Sequence, residues 1–254
     1  MAFRIGRMNW TCGLACIRGS TIYEYDMEAA GLSVLRDRDL ISPKEHARLQ
    51  ALPKSRRVVE VGLLCRGDDV ALQAVESGTR EAVAEFCQEN GFDEGDIISV
   101  KRDAVYSLRP ARVLRLGEYI RFREDGRYTS FFNLSGVEFY YSCRNRSAVV
   151  KGIGREVERT HRDHFIKLIC GIIDLSENLK HDRLMQILAL KRRDYVTMKA
   201  GAECYREMSA NNAFRLKGSL TGVDLYADHW PGPDSVDISY NYAKFIVPLV
   251  AALV

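Results

Sequence analysis

The chain has 254 residues, of which 46% are hydrophobic and 28% are charged, so it can bury a sizeable core and is neither disordered nor of low complexity. No apolar run reaches the ~18 residues of a membrane-spanning helix, and the first residues lack the apolar core of a secretory signal. The 37 basic and 34 acidic residues give a formal charge of +3, which permits a nucleic-acid partner without indicating one.

The first part of the chain predicts one strand followed by helices. Residues 21–25 are β-branched and aromatic, which is typical of a strand, and residues 29–36 predict a helix. Ser42 is a typical N-cap and Pro43 a typical first helical residue, so a short helix begins there and Pro53 interrupts it.

The next segments predict two helices and a hairpin. Residues 54–65 and 70–89 have helical periodicity. Residues 97–100 and 104–108 predict two strands, with Lys101-Arg102-Asp103 as the bend between them.

The remaining chain first predicts strands and then a helical region. The strand candidates are residues 113–123, 128–133 and 136–142. The helix candidates are residues 155–175, 181–198, 200–209 and about 240 to the end.

Two aspartates lie at the ends of predicted strands. Asp26 follows the first strand, and Asp103 lies at the bend of the hairpin. If the two strands are neighbours, both carboxylates face one point, where two divalent cations about 3.5–4 Å apart can assist phosphoryl transfer. Mg²⁺ or Mn²⁺ suits such a site, because Mg²⁺ uses few carboxylates together with waters and substrate phosphates. A turn former or a helix cap is the other interpretation of an aspartate at such a position.

One face of the helix over residues 54–65 carries a cation and a glycine. Lys54, Val58, Val61 and Gly62 share this face by their spacing. A triphosphate near the lysine and a flat base against the bare backbone of the glycine would suit the pattern. The alternative is an ordinary apolar stripe that follows a solvated basic helix start.

Together these segments resemble the catalytic half of a family B DNA polymerase. The family's first motif, Asp-x-x-Ser-Leu-Tyr-Pro-Ser-Ile, matches residues 26–34, DMEAAGLSV. Its second motif, Lys-x-x-x-Asn-Ser-x-Tyr-Gly, matches residues 54–62, KSRRVVEVG. Its third motif, Asp-Thr-Asp-Ser-Val-Tyr, matches residues 101–106, KRDAVY.

Two shorter elements follow in the family's order. Lys151-Gly152-Ile153 resembles the Lys-Gly-Ile element after the palm. Asp237 with Tyr240 and Pro248 resembles the Asp-x-x-Tyr-Tyr…Pro pattern near the family's C-terminus. Each element alone is unspecific, and it is their common order along the chain that favours the resemblance.

The resemblance implies a role for each matching residue. Asp26 and Asp103 would be catalytic metal ligands, with the Met27 carbonyl completing a site for Mg²⁺ or Mn²⁺. The nucleotide-binding positions would be Lys54 at the triphosphate, Arg48 beside it, and Gly31, Val58 and Gly62. The primer–template contacts would be Lys151, Lys191, Arg192 and Arg193, the last three on backbone phosphates.

The resemblance also implies the fold class and the domains. We expect an α+β fold: a polymerase palm with an antiparallel sheet over residues 1–150, a short helical fingers insertion at about 40–90, and a thumb-like helical region over 151–254. The compressed spacing between the motifs implies very short fingers. With no room for an exonuclease domain before the first motif, we expect no proofreading.

Several positions depart from the family pattern. The second motif has Val58-Val59 in place of Asn-Ser and Val61 in place of its tyrosine, and Lys101 replaces the first aspartate of the third motif. Gly31 replaces the tyrosine that packs under the sugar and excludes a 2′-hydroxyl. Either another group fills the space at Gly31, or ribonucleotides enter.

The resulting hypothesis is a template-directed nucleotidyltransferase, a miniature family B-like DNA polymerase that uses two divalent metal ions. Its partners would be primer–template nucleic acid, nucleoside triphosphates and other replication subunits, with no membrane. One alternative is an RNA-synthesising or priming polymerase, because of Gly31. Another is a non-catalytic nucleic-acid-binding or assembly subunit on a degenerate palm.

The cellular location is inferred from size and cysteine usage. Small size and lost domains suggest a virus or a mobile element. The seven cysteines are odd in number and scattered, which is typical of reduced thiols. We therefore expect the cytoplasm, and the host cytoplasm for a viral protein.

Overall fold

The computed structural model describes residues 9–134, 136–152 and 159–178, with the single positions 183, 186, 189 and 249. In this part the chain is α+β: five helices and an eight-stranded sheet, in which every strand pair of defined register is antiparallel. No helix among these residues is both long and apolar enough to cross a bilayer.

Two compact units divide the chain. Unit 1 comprises residues 1–13 and 20–127, and unit 2 comprises residues 14–19 and 128–254. The first six elements in chain order are β1 (Asn9–Thr11), β2 (Cys16–Met27), α1 (Ala30–Asp37), α2 (Pro43–Gln50), α3 (Lys54–Arg66) and α4 (Asp69–Glu89). The later elements are β3 (Ile97–Lys101), β4 (Ala104–Ser107), β5 (Arg115–Leu116), β6 (Ile120–Leu134), β7 (Val137–Ser142), β8 (Ser147–Lys151) and α5 (Arg159–Asn178).

The strands of unit 1 lie in the order β1-β3-β4-β2-β6, and β5 pairs with β6. The β3–β4 hairpin therefore places β4 directly beside β2, with Asp26 opposite Ala104 in the register. The sequence analysis expected the two carboxylates to face one point only if their strands were neighbours. β2 and β4 are neighbours, so the ends of the two aspartate-bearing segments lie at one edge of the sheet.

The helix starts follow from local capping. The Ser42 hydroxyl accepts a hydrogen bond from the Glu45 backbone N–H at 3.1 Å, and Pro43 occupies the first helical position. At α4 the Asp68 carboxylate accepts from the backbone N–H groups of Val70 and Ala71. Side-chain oxygens thus satisfy donors that have no partner within the helix. The predicted start of α2 is confirmed.

The core of unit 1 lies between α4 and the sheet. Phe86 of α4 is fully buried and stacks on Phe122 of β6, with ring centroids 4.1 Å apart. It also contacts Tyr25 of β2 at 5.4 Å. Burial of such an aromatic side chain contributes about 1.5–3 kcal/mol, so α4 fixes β2 and β6, which carry the site described below.

Unit 2 has its own apolar core. Phe139 and Tyr140 of β7 are buried, as are Ile169 and Ile173 of α5. The Tyr141 hydroxyl donates a hydrogen bond to the Asp174 carboxylate, so a strand and a helix of this unit are also joined by a polar contact.

The sheet differs from the sequence prediction in several places. The predicted strand over residues 113–123 is divided, because residues 117–119 separate β5 from the start of β6. β6 is one strand of 15 residues, where the sequence predicted two segments separated by Glu124-Asp125-Gly126-Arg127. β1 and β8 were not assigned from sequence. In β6, residues 124–127 continue as strand because the residues on both sides of them alternate between exposed and buried positions. The predicted helices over 181–198, 200–209 and 240 to the end lie outside the continuously described ranges.

Candidate functional site

Asp26 and Asp103 occupy neighbouring chain ends at one edge of the sheet. Asp26 is the next-to-last residue of β2, and Asp103 is in the two-residue turn between β3 and β4. The Met27 backbone N–H donates a hydrogen bond to the Asp103 carbonyl at 3.0 Å. This bond fixes the turn against the end of β2, so the two aspartates cannot separate without breaking the sheet edge.

Two residues beside these aspartates have left-handed backbone conformations. Arg102, directly before Asp103, has φ 56°, and Ala29, at the start of α1, has φ 48°. Such conformations cost of order 1–3 kcal/mol in non-glycine residues and occur preferentially at functional sites. The tight turns place Asp103 against β2 and start α1 at Ala30, four residues after Asp26.

The Asp26 carboxyl has the most strongly perturbed environment in this region. Its side chain keeps 25% of its surface exposed, and its pKa is raised from 3.8 to about 6. Burial is the largest cause, followed by the negative charges of Asp103 and Asp125, while Arg123 and Lys54 lower the pKa. A carboxyl whose pKa is raised by burial and then by two neighbouring acids has an electrostatic reason to bind a cation.

β6 contributes two charged residues that the sequence analysis missed. The Arg123 guanidinium (Nη2) lies 2.9 Å from Oδ1 of Asp125 and 3.9 Å from Oδ2 of Asp26. Arg123 lies in the predicted strand over residues 113–123, and the alternation of exposed Arg121, buried Phe122 and exposed Arg123 is a signal visible in the sequence. That β6 lies beside β2 was not visible, because this pairing joins residues about one hundred positions apart.

Lys54 reaches the same electrostatic neighbourhood from α3. It is the first residue of the helix, is exposed, and its positive charge lowers the pKa of Asp26. The structure therefore brings together three of the residues selected from sequence: Asp26, Asp103 and Lys54. Val58, which is 62% exposed, and Gly62, which has open space around it, follow on the same helix.

The space at Gly31 is occupied by two valines. A Cβ added to Gly31 would lie 3.1 Å from Cγ1 of Val61 and 3.7 Å from Cγ1 of Val75. These contacts are helix packing, and the choice between the two possibilities raised by the sequence stays a prediction. The α1–α3 contact is close because one partner is a glycine.

The other predicted contacts have varied surroundings. Arg48 makes two hydrogen bonds to the Glu45 carboxylate, at 2.9 and 2.7 Å, and lies 3.8 Å from Glu60, so its contact with a triphosphate stays a prediction. Lys151 ends β8 in unit 2. Lys191, Arg192 and Arg193 lie outside the described residues.

The metal-binding capacity of the site rests on few protein ligands. Among the described ranges, no group of three or more His, Cys, Asp and Glu side chains is close enough to hold a metal ion. Asp26 and Asp103 fit the other mode of Mg²⁺ binding, in which one or two carboxylates act together with waters and substrate phosphates. The Met27 side chain is buried, so only its carbonyl is available as the predicted third ligand.

A cavity of about 350 Å³ opens beside the start of α1 within unit 1. Its lining residues are Glu28, Ala29, Ser33, His46, Gln50, Arg115, Glu118, Tyr119 and Arg121. Glu28 lies only two positions after Asp26, so the cavity adjoins the carboxylate site along the chain.

The profile of one protein family, described as Bacteriophage PBS1 gene 130 protein, matches residues 8–224. Because the match covers most of the chain, this protein belongs to that family. No curated protein matches the sequence.

Proposed function

We propose that this protein is a metal-dependent nucleotidyltransferase that extends a primer along a nucleic-acid template. The observation that supports this proposal best is the arrangement of Asp26 and Asp103 on neighbouring strand ends, with Lys54 close enough for its charge to act on Asp26. Two carboxylates and one cation of this kind suit a triphosphate that arrives with divalent metal ions.

In this proposal the protein acts mainly by positioning charge. Asp26 and Asp103 would hold Mg²⁺ or Mn²⁺, which would neutralise the phosphates and lower the pKa of the primer hydroxyl. Lys54 holds the triphosphate end of the nucleotide. The primer 3′-oxygen then bonds to the α-phosphorus, the bond to the β-phosphate oxygen breaks, and pyrophosphate leaves while the hydroxyl proton passes to solvent.

The fold assignment within this proposal follows the family B resemblance. The sheet of unit 1 would be the palm, α2 to α4 the short fingers, and the segment after residue 151 the thumb. The match to a phage family supports a viral protein, and we propose that it acts in replication, in the host cytoplasm and with other replication subunits.

Primer extension by the purified chain tests the proposal. A labelled primer on a longer template is incubated with all four dNTPs and with Mg²⁺ or Mn²⁺. We expect products longer than the primer, their loss in Asp26→Asn and Asp103→Asn, and their retention in Asp37→Asn, where an exposed aspartate of α1 is changed. Extension that persists in both site variants would refute the assignment.

A non-catalytic nucleic-acid-binding subunit is the second candidate. Two observations favour it: Arg123 lies 3.9 Å from the Asp26 carboxylate, and no three-ligand metal group is found among the described residues. Nucleic-acid binding without extension under either metal would support this candidate over the enzyme.

The choice of sugar is a separate question within the enzyme proposal. Because Val61 and Val75 fill the space at Gly31, we expect dNTPs to be preferred over rNTPs, against the RNA-synthesising alternative. Val61→Ala enlarges this space and should reduce the preference. Val59→Ala changes a side chain of the same helix that is 60% exposed and should leave the preference unchanged. Equal use of both sugars by the unmodified chain would favour the RNA alternative.

A further inference from the structure

Three arginines lie along β5 and β6. Arg121 and Arg123 are two positions apart on β6 and both are exposed, so they share the solvent face of the strand. Arg115 of β5 is paired directly with Arg121 in the register. We call Arg115, Arg121 and Arg123 the arginine strip. Arg115 and Arg121 line the cavity, whereas Arg123 lies 2.9 Å from Asp125 and 3.9 Å from Asp26.

The pairing of Arg115 with Arg121 places two positive charges directly opposite each other. Like charges directly opposite each other on antiparallel strands destabilise the pair. The Arg115 guanidinium is held by the carbonyls of Gly117 and Glu118, at 2.8 and 3.5 Å, which orient it without neutralising it. Among the described residues, the Arg121 side chain makes no hydrogen bond or ion pair. An anion between the two guanidinium groups would relieve their repulsion.

Other groups in the cavity limit what it can bind. Glu28 and Glu118 line it as well, so attraction for an anion depends on the two arginines. Burial and the nearby Arg36 lower the pKa of His46, so this side chain is neutral at neutral pH. The Glu28 backbone N–H donates to the Arg121 carbonyl at 2.8 Å, which fixes the strip beside the chain segment that follows Asp26.

We propose that the arginine strip binds the phosphates of a nucleic-acid strand and leads that strand to the carboxylate site. Strand residues two apart are separated by about 6.8 Å, a spacing that suits successive phosphates of an extended strand. Guanidinium groups bind phosphate oxygens through two parallel hydrogen bonds. The inference rests on the proposed function in naming the strand as substrate, but the binding site itself needs no catalysis.

Binding of a fluorescent single-stranded oligonucleotide, measured by anisotropy without divalent metal, tests the proposal. The variants are Arg115→Gln, Arg121→Gln and the double variant, and the control is Arg112→Gln, an exposed arginine just before β5. Arg123 is left unchanged because it contacts the carboxylate site. Each released phosphate contact reduces the slope of log K against log salt by about 0.7 for a single strand.

We expect the double variant to bind at least about tenfold more weakly at low salt, with a slope smaller by roughly 1.4, and the control to match the unmodified protein. Unchanged affinity and slope in the double variant would overturn the proposal. So would an equal loss in Arg112→Gln, because nonspecific charge would then explain the binding.

A free mononucleotide could also supply the phosphate that the arginine strip binds. To distinguish it from a nucleic-acid strand, the affinity of the same proteins for ATP is measured without metal. If the double variant loses affinity for ATP but not for the oligonucleotide, the cavity binds free nucleotide and the strand assignment is wrong. If Asp26→Asn keeps full extension while the double variant loses the oligonucleotide, the proposed catalytic site fails and the strip stands.

Discussion

The carboxylate edge of the sheet and helix α3 are built in opposite ways. At the sheet edge, Asp26 is followed by the fully buried Met27 and paired with a strand whose Val105 is also buried. In α3, Cys65 is the one buried residue of 13, and Val58 and Leu63 are more than half exposed. One region is fixed by strand register and core packing, whereas the other exposes most of its length.

This difference matches the two tasks of the proposed site. Groups that hold metal ions need fixed geometry, which rigid strands supply. A helix that meets an incoming nucleotide needs an accessible surface, and low local packing is common in ligand-binding segments. Changes at the sheet edge should therefore affect both chemistry and folding, and changes on the open face of α3 should affect substrate binding alone.

The largest expected effect is on catalysis at the sheet edge. Asp26→Asn and Asp103→Asn remove metal ligands while keeping side-chain size, so single-nucleotide incorporation should fall by at least about 10³-fold, or about 4 kcal/mol. Oligonucleotide affinity should change by less than about twofold. Rapid-quench kinetics and anisotropy measure the two effects, and a loss of affinity equal to the loss of rate would indicate misfolding instead.

The second prediction compares the same substitution in the two regions. Leu35→Ala in α1 removes a side chain that is 1% exposed, and Leu63→Ala in α3 removes one that is 55% exposed. We expect Leu35→Ala to lower the free energy of unfolding by about 2–5 kcal/mol and Leu63→Ala to lower it by less than about 0.5 kcal/mol. Urea unfolding followed by circular dichroism measures both, and similar losses would show that α3 is packed as tightly as α1.

The third prediction concerns the pH dependence of stability. The folded-state pKa of Asp26 is about 6 against 3.8 for an ordinary aspartate, so the ionised carboxylate destabilises the fold, and this cost grows as pH rises from about 4 to about 6. Because the side chain is partly exposed, we expect Asp26→Asn to gain about 1–2 kcal/mol at about pH 8 and less at about pH 4.5.

Urea unfolding of both proteins at the two pH values, without divalent metal, gives this difference. Asp37→Asn serves as the exposed control and should show no pH-dependent gain. A gain for Asp26→Asn that is larger in acid than in base would reverse the sign and contradict the burial of this carboxyl.

The smallest predicted effect tests the substrate role of α3. Lys54→Gln removes the cation that α3 contributes near the carboxylates, so KM for the nucleoside triphosphate should rise about tenfold, with the free energy of unfolding unchanged within about 0.5 kcal/mol. Lys44→Gln, at an exposed position of α2, is the matched control. Equal KM values for the two variants would remove Lys54 from the site.

Local chemistry made much of unit 1 predictable from sequence. The Ser42-Pro43 start of α2, the end of α4 at Asn90 and the β3–β4 hairpin all depend on neighbouring residues. The placement of Asp103 at a turn needed no tertiary information either.

What the sequence could not provide depends on long-range pairing. The approach of Arg123 to Asp26 requires β6 to lie beside β2, and no local pattern encodes which strands become neighbours. The filling of the space at Gly31 by Val61 similarly depends on how α3 packs against α1. β1, with only three residues, is too short for a periodic signal.

Binding of Mn²⁺ in the presence of a nucleoside triphosphate, followed by electron paramagnetic resonance, tests the central claim most directly. If Asp26 and Asp103 hold the metal together, Asp26→Asn and Asp103→Asn should each lose the protein-bound Mn²⁺ signal that the unmodified protein and Asp37→Asn display. Retention of that signal at full affinity in both site variants would show that the two carboxylates are not the metal ligands.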